Sequence, residues 1–227
     1  SALRGTGFAP IEDVFSGPEI DEIRKFLADK PVTYDITTEA GTSQHEALVG
    51  EVPENVSLAR YSASDLCQCP LIYNVIHNEN LINLVGTYLG APPSIATIAT
   101  WWSFPDRTQP EKDQPFHHDR DDFSIAKLFV YLTDVTPVTG PHAYLLRTHA
   151  TGFLREGAAQ FTPKQADTFW AWMEKFMKPE DEVLGIFGTQ RLKIATGPRG
   201  TSFLEDTRGL HRAVYPREGF RLAFEIT

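Results

Sequence analysis

Two neighbouring histidines, His117 and His118, lie within an acidic segment with the sequence FHHDRDD. Each charged side chain in such a segment must be solvated, paired or bound to a cation. Because side chains two positions apart in an extended segment share a face, His117 and Asp119 can meet at one point. His118 has no such partner, since Arg120 stands two positions after it. An imidazole and a carboxylate on one face are two of the three ligands of the 2-His-1-carboxylate site, which holds iron(II) and leaves coordination positions open.

The third ligand of such a site should be a histidine far along the chain, and His211 is the leading candidate. A lone histidine after a tight turn is more often structural, but Arg221 stands ten residues later. The next antiparallel strand could return Arg221 to the same pocket, and arginine is suited to bidentate capture of a carboxylate. The remaining histidines are weaker candidates because they lie in a patternless segment, a helix or turns: His45, His77, His142 and His149.

The composition is that of an ordinary globular protein: of the 227 residues, 41% are hydrophobic and 22% are charged. This length suits one domain with a sizeable core. Asp and Glu total 30 against 21 for Lys and Arg, so the net charge is -9. Nucleic acids and anionic membranes reward clustered Lys and Arg, so we predict neither as a partner. The sequence leaves the oligomeric state open.

The two cysteines, Cys67 and Cys69, form a lone C-x-C pair, which is a poor structural zinc site without a second pair. They suit a reduced protein, so we expect a cytoplasmic location. No apolar run approaches the length of a membrane span, and the first residues lack a basic region followed by an apolar one. These patterns favour neither a membrane protein nor a secreted one.

Helices are predicted in the N-terminal part of the chain. Ser16 and Glu19 match a capping box, and apolar residues at helical spacing follow them. A second helical region covers about 70–88, with Asn78 as a cap within it. The segment 32–60 between these regions shows little periodicity, and we interpret it as loop and short strands that could form a flap.

Strands are predicted from residue 94 onwards. Residues 94–104 are rich in β-branched and aromatic types, and 104–115 is a proline-containing loop that leads to His117. The clearest strand is 124–135, where apolar residues alternate and Lys127 shares a face with aromatic side chains. A lysine that points into a sheet is costly unless it meets an anion or its amine reaches the edge.

The rest of the chain combines turns, one aromatic helix and short strands. Residues 135–149 carry turn residues, and a second capping box at Thr162 and Gln165 precedes a helix whose aromatic side chains extend over 163–177. Such a stripe suits either a core or a lid over an apolar substrate. Short strands then lead to the closing strand 220–226. This order of elements predicts an α+β fold with an antiparallel barrel or sandwich.

From about Trp101 to the C-terminus, the chain resembles the phytanoyl-CoA dioxygenase family of Fe(II)/2-oxoglutarate-dependent oxygenases. The resemblance rests on five segments in this order: FHHDRDD, KLFVYLTDV, GPHAYLLRTH, GPRGTSFLEDTRGLH and GFRLAF. It implies one oxygenase domain over 1–227, with a double-stranded β-helix (jelly-roll) core in 94–227. Helical support and a flap in 1–93 would brace that core. An insertion at 150–190, helical near 162–186, would interrupt it.

The resemblance also implies roles for single residues. Arg221 matches the arginine that holds the distal carboxylate of the co-substrate 2-oxoglutarate, and Lys127 and Ser103 stand where further co-substrate contacts could fall. The implied reaction consumes O2, releases succinate and CO2, and hydroxylates a C–H bond of a small-molecule or acyl-type substrate. Three residues match the Fe(II) ligands at the catalytic centre: His117, Asp119 and His211.

Two positions depart from the family pattern, although neither removes a ligand. Arg147-Thr148-His149 stands where Gly-Ser-His is common, and Ala213 cannot donate a hydrogen bond to the co-substrate.

Two other functions stay open. The same three ligands could hold zinc in a hydrolase, which would have no use for Arg221. The fold could also serve as a binding or sensing module with little turnover.

Overall fold

The computed structural model describes residues 2–39, 41–105 and 114–227. Their helices are α1 (Ala2–Thr6), α2 (Gly17–Ala28), α3 (Ala63–Gln68), α4 (Pro70–Ile76), α5 (Glu79–Leu89), α6 (Thr151–Ala158), α7 (Pro163–Met173) and α8 (Glu180–Phe187). Their strands are β1 (Phe8–Ile11), β2 (Val32–Thr38), β3 (Gly41–Ala47), β4 (Leu58–Tyr61), β5 (Ile98–Ser103), β6 (Lys127–Tyr131), β7 (His142–Leu145), β8 (Leu192–Ala195), β9 (Ser202–Glu205), β10 (His211–Ala213) and β11 (Arg221–Ile226).

The strands form two antiparallel sheets, which agrees with the predicted mixture of helices and antiparallel strands. The large sheet has eight strands in the order β1-β9-β6-β11-β5-β4-β2-β3, and the small sheet has three in the order β10-β7-β8. One face of the large sheet packs against the N-terminal helices. The buried cluster there includes Ile20, Ile23, Leu66 and Ile72 from helices and Leu128, Val130, Leu222 and Phe224 from strands.

The two helix starts predicted in this region are confirmed. Ser16 and Glu19 form the capping box of α2, in which the Ser16 amide donates to Glu19 Oε2 over 2.7 Å. The Asn78 side chain caps α5 by accepting from the Leu81 amide at 3.1 Å. Because these bonds satisfy amides that have no partner inside the helix, the caps define where each helix begins.

The predicted alternation along β6 is confirmed as well. Leu128 and Val130 belong to the cluster under the helices, whereas Phe129 and Tyr131 belong to a second cluster that also holds Tyr144 of the small sheet. The two sheets therefore face each other across these side chains. The strand is shorter than the predicted 124–135, because its neighbours β9 and β11 pair with it only over its central residues.

The strands predicted in segment 32–60 are present, and they are longer than expected: β2 and β3 form a hairpin with β4 beside it. β2 and β3 pair along their whole length, from Val32 opposite Ala47 to Thr38 opposite Gly41, and the hairpin extends the large sheet beyond β4. The side chains of the edge strand β3 are mostly exposed. An edge strand that is solvated on both faces needs no apolar alternation, which explains the missing sequence signal.

Strands β1 and β7 were not predicted. β1 pairs with β9 at the edge of the large sheet, and β7 forms the centre of the small sheet within a segment that was interpreted as turns. All four residues of β7 are buried. A strand that is buried on both faces shows no polar alternation, so the period-2 signal is absent there.

Three helices, α6 to α8, fall inside the predicted insertion. The capping box of α7 is present, with the Thr162 amide donating to Gln165 Oε1 at 3.0 Å. The apolar side chains of α7 form the core of this insertion rather than a lid. They pack in a cluster that includes Phe169, Trp172, Met173, Val183, Leu145 and Leu210.

Residues 106–113 of the predicted loop 104–115 lie outside the described residues. Among the helices that the structure describes, none is both long and apolar enough to cross a bilayer. Cys67 is exposed and Cys69 is buried, and both are free thiols.

Candidate metal centre

The backbone brings His117 beside His211. Residues 116 and 117 run as an extended segment next to β10, and the amide of each histidine donates to the carbonyl of the other at 2.9 Å. The two imidazole rings consequently lie with their centroids 4.3 Å apart. The small sheet thus gains an extra short strand that carries the first histidine of the H-x-D motif.

Asp119 completes the cluster. Its amide donates to the carbonyl of Thr207 at 2.8 Å, which places its side chain on the same side as that of His117. One carboxylate oxygen, Oδ1, lies 3.8 Å from His211 Nε2. One ligand atom each from His117, Asp119 and His211 lies within 4.8 Å of the others, so the three side chains can bind one metal ion.

Hydrogen bonds to backbone carbonyls orient both imidazoles. His211 Nδ1 lies 2.9 Å from the carbonyl oxygen of Gly209, and His117 Nδ1 lies 3.4 Å from that of Pro115. A carbonyl only accepts, so each Nδ1 carries the proton and each Nε2 keeps a lone pair. Such a hydrogen bond from the ring nitrogen that does not face the metal is typical of metal-binding histidines.

The electrostatics favour the charge state that a cation needs. Burial lowers the pKa of His211 to about 4, so this imidazole is neutral near pH 7. Burial alone would raise the pKa of Asp119, but His211 and Lys127 outweigh it, and the net pKa lies below its ordinary value. The cluster therefore presents a neutral buried imidazole and an anionic carboxylate without having to release protons first.

A buried tyrosine holds the turn that precedes His211. The hydroxyl of Tyr144 donates to the carbonyl of Asp206 at 3.0 Å and lies between two glycines. A Cβ at Gly209 would lie 2.1 Å from this hydroxyl, and one at Gly7 would lie 2.0 Å from it. Both positions must therefore lack a side chain, and the N-terminal segment helps to position the distal histidine.

Below His211 lies a buried acid and histidine pair that sequence reasoning missed. His142 Nε2 lies 3.0 Å from Oε1 of Glu205 and 2.9 Å from Oε2, and its ring centroid is 5.6 Å from that of His211. Burial raises the pKa of Glu205 to about 8 and lowers that of His142 to about 3. His142 and Glu205 are therefore both neutral near pH 7, and the pair adds no charge next to His211.

Glu205 should make the stability of the metal-free protein depend on pH. Between pH 7 and pH 8 the unfolded chain carries the ionised carboxylate, whereas the folded protein keeps it largely protonated. Because the folded state binds the extra proton, Glu205 should lower the free energy of unfolding by about 1 kcal/mol as pH rises through this window. Lys178, whose pKa burial lowers to about 8, opposes part of this fall in wild type and variant alike. Unfolded histidines are mostly neutral above pH 7 and contribute little slope.

Glu205→Gln should remove this fall, because an amide does not titrate. The measurement is denaturant unfolding of both proteins at pH 7 and pH 8 in the presence of a chelator. Glu46→Gln, on the exposed strand β3, serves as the matched control and should keep the wild-type slope. Equal slopes for wild type and Glu205→Gln would show that Glu205 is ionised in the folded protein.

Arg221 and Ser103 lie side by side in the interior between the sheets. They are opposite each other in the β11 and β5 ladder, and Arg221 Nη2 donates to Ser103 Oγ at 3.1 Å. Arg221 Nη1 donates to the carbonyl of Gly140, and only 3% of the residue is exposed. Within the described ranges no carboxylate forms an ion pair with this guanidinium, although its charge reaches His142, the neighbour of His211.

Lys127, unlike Arg221, forms ion pairs with carboxylates that the structure describes. Its ammonium is 2.9 Å from Asp119 Oδ2 and 3.6 Å from Glu225 Oε1. The alternation of β6 turns this lysine inward, as predicted, and the anions that it meets are carboxylates of the protein itself. Desolvation would lower the pKa of Lys127, but the charges of Glu225 and Asp119 outweigh it and raise the net pKa.

The rim of the centre combines aromatic and cationic side chains. The ring of Phe176 lies 5.9 Å from that of His117 and is 56% exposed. Arg120 Nε contacts His118 Nε2 at 3.1 Å, and Lys178 Nζ lies 3.4 Å from His118 Nδ1. The part of the aromatic stripe that borders the metal centre is therefore the segment after α7, not the helix itself.

Solved structures with a similar fold include non-heme alpha ketoglutarate dependent enzymes. The chain is similar in fold to AviO1 from Streptomyces viridochromogenes Tue57, with a TM-score of 0.60 and 16% identity over 99% of this chain and 90% of that one. It is also similar in fold to HygX from Streptomyces hygroscopicus, whose structure contains nickel and 2-oxoglutarate. The TM-score is 0.58, and the identity is 18% over 99% of this chain and 84% of HygX.

A third similar structure is SnoK, a non-heme alpha ketoglutarate dependent carbocyclase from nogalamycin biosynthesis. Its TM-score is 0.60, with 14% identity over 99% of this chain and 80% of SnoK. No protein-family model matches the sequence, and no curated protein matches it either. At these identities the likeness establishes the fold, while the chemistry must be argued from the site.

Proposed function

We propose that the chain is an Fe(II)/2-oxoglutarate-dependent dioxygenase of the phytanoyl-CoA dioxygenase type. It would use O2 to hydroxylate a C–H bond of a small-molecule or acyl-type substrate, with release of succinate and CO2. In this proposal residues 1–227 form one domain built on a double-stranded β-helix. The solved structures of similar fold support the class, since one contains nickel and 2-oxoglutarate and another contains Fe3+ and alpha ketoglutarate.

The proposal depends on two features that both lie between the sheets, a cluster of possible metal ligands and a buried arginine. One is the cluster of His117, Asp119 and His211, whose donor atoms suit iron(II). The other is Arg221, a buried guanidinium that forms no ion pair with a carboxylate in the described part of the chain. A buried charge without a counter-ion is costly, and a dicarboxylate that also binds the metal would provide one.

The donor set fits the metal, and each residue has a separate task. His117, His211 and Asp119 would hold the ion on one face, and Arg221 with the Ser103 hydroxyl would receive the far carboxylate of 2-oxoglutarate. When bound, iron supplies the oxidative chemistry with O2, which no side chain of the protein can supply. The protein's own contribution is to orient the two ligands and to exclude water between the sheets.

Hydroxylation is the favoured outcome because Asp119 occupies the carboxylate position. A halogenating enzyme of this class leaves that position for a halide. For the substrate, the exposed rim with Phe176 and Arg120 favours a small molecule with an apolar part. Solved structures of similar fold contain hygromycin B and nogalamycin RO, which supports a small-molecule substrate without naming it.

The test starts with the two ligands alone. Anaerobic Fe(II) and 2-oxoglutarate together should produce a weak visible charge-transfer band that neither ligand produces singly. Candidate metabolites should then be screened for stimulated succinate release in air. A protein that copurifies with zinc and ignores 2-oxoglutarate would instead be the hydrolase. One that binds both ligands but releases no succinate with any candidate would support the binding or sensing module.

A further inference from the structure

In the structure Lys127 contacts the carboxylate of Asp119, one of the three residues of the candidate metal centre. Lys127 is the first residue of β6, and its ammonium lies 2.9 Å from Asp119 Oδ2. The other oxygen of the same carboxylate, Oδ1, is the one that lies 3.8 Å from His211 Nε2. The two oxygens of Asp119 therefore face different groups, one a lysine and the other the interior of the candidate metal centre.

We propose that Lys127 is a positioning residue that holds Asp119 in a one-oxygen orientation toward the metal. This inference rests on the proposed function, because it assumes that the cluster of His117, Asp119 and His211 binds a metal ion. It also assigns Lys127 a role different from the co-substrate contact predicted by resemblance.

The physical argument concerns the freedom of a short carboxylate side chain. Rotation of the Asp119 carboxylate could turn both oxygens toward the metal or neither. The backbone bond to Thr207 restrains the main chain of Asp119, and the Thr207 side chain helps Lys127 to lower the pKa of the carboxylate. The ion pair between Lys127 and Oδ2, at 2.9 Å, is close enough to favour one orientation. Binding through Oδ1 alone would use one coordination position and would leave others open for co-substrate and O2.

Glu225 explains why the lysine is stable in this place. Its Oε1 lies 3.6 Å from the ammonium, and the carboxylates of Glu225 and Asp119 are both largely buried. One buried cation between two buried anions is better compensated than a single pair. Lys127 is thus held by two carboxylates, and moving it to a co-substrate would require breaking both contacts.

Lys127→Met and Lys127→Arg, compared with wild type, test the inference with Co(II) as the probe. If the ammonium orients Asp119, Lys127→Met should weaken Co(II) binding by about tenfold or more, which is the usual effect of losing a group that orients a metal ligand. Lys127→Arg keeps a charged donor and should restore most of the affinity. Lys193→Met, which removes an exposed lysine from strand β8, is the matched control.

The sign of the effect separates positioning from simple charge. Removing a positive charge near a metal ion should by itself strengthen metal binding. An unchanged or tighter Co(II) affinity in Lys127→Met would therefore overturn the inference. A loss of 2-oxoglutarate affinity at saturating Co(II), with Co(II) affinity unchanged, would also overturn it and return Lys127 to the co-substrate.

Lys127→Met could prevent folding, because it leaves the carboxylates of Asp119 and Glu225 without the cation between them, so a second comparison is needed. If that variant does not fold, Lys127→Met combined with Glu225→Gln removes the repulsion and is compared with Glu225→Gln alone. The wild-type titration tests the proposed function separately. If wild type binds no Co(II), or binds it without taking up 2-oxoglutarate, the dioxygenase proposal fails. If wild type binds both and the Lys127 variants bind Co(II) with the wild-type affinity, only the positioning role fails.

Discussion

Asp119→Ala is expected to weaken the binding of Fe(II), or of Co(II) in its place, by more than about 100-fold. Losing a group that only orients a ligand already weakens metal binding by about 10- to 100-fold, and this variant removes the ligand itself. Asp119 is also the only anion of the cluster, so two imidazoles would have to hold a divalent cation without charge compensation. Isothermal titration or a chelator competition measures the affinity.

Asp122→Ala is the matched control for this experiment. Asp122 lies in the same acidic loop, but its side chain accepts a hydrogen bond from the Phe123 amide and is exposed. Its removal should leave the metal affinity unchanged. Thermal unfolding of both variants shows whether the fold is kept. A folded Asp119→Ala protein that retains wild-type iron affinity would exclude Asp119 from the metal centre.

Arg221→Met is expected to raise the dissociation constant for 2-oxoglutarate by about 100-fold, with little change in metal affinity. Methionine keeps an apolar stem of similar length and removes the charge, so the variant tests the guanidinium rather than the packing. Truncating one partner of a buried, hydrogen-bonded charge pair costs about 2–5 kcal/mol, and 100-fold corresponds to about 3 kcal/mol. Titration of 2-oxoglutarate into the Co(II)-loaded protein gives the constant.

A shortened ligand makes this prediction specific. 2-Oxobutyrate keeps the metal-binding keto acid but lacks the distal carboxylate, so it should bind wild type and Arg221→Met equally weakly. Arg217→Met changes an exposed arginine in the turn before β11 and should behave like wild type. If Arg221→Met lowered the affinity for both ligands to the same extent, the guanidinium would act through the fold and not through the distal carboxylate.

Local patterns predicted those elements whose stability depends on nearby residues. The capping boxes at Ser16 and Thr162 and the cap at Asn78 are all present, because each satisfies amides within three residues. The inward and outward faces of β6 followed from its alternation. The hairpin β2–β3 was predicted only as short strands within a loop, and the buried strand β7 was missed. The edge strand of the hairpin is solvated and β7 is buried on both faces, so neither shows a polar alternation.

The boundary of the aromatic helix shows why a local pattern could not separate lid from core. Its apolar stripe continues across 163–177, but the helix ends at Met173. Side chains before that end pack against α8 and the small sheet, while Phe176 and Met177 are exposed. Which part of the stripe is covered depends on elements that fold over it from elsewhere in the chain.

For this protein, the sequence by itself determined the helix starts, the faces of β6 and the spacing that lets His117 and Asp119 meet. Each of these depends on contacts within a few residues. Only the tertiary structure decided which charges share the interior: Lys127 with Asp119 and Glu225, Glu205 with His142, and Arg221 beside Ser103. The physical reason is strand order, because antiparallel pairing and the facing of two sheets bring together side chains from segments that no local pattern connects.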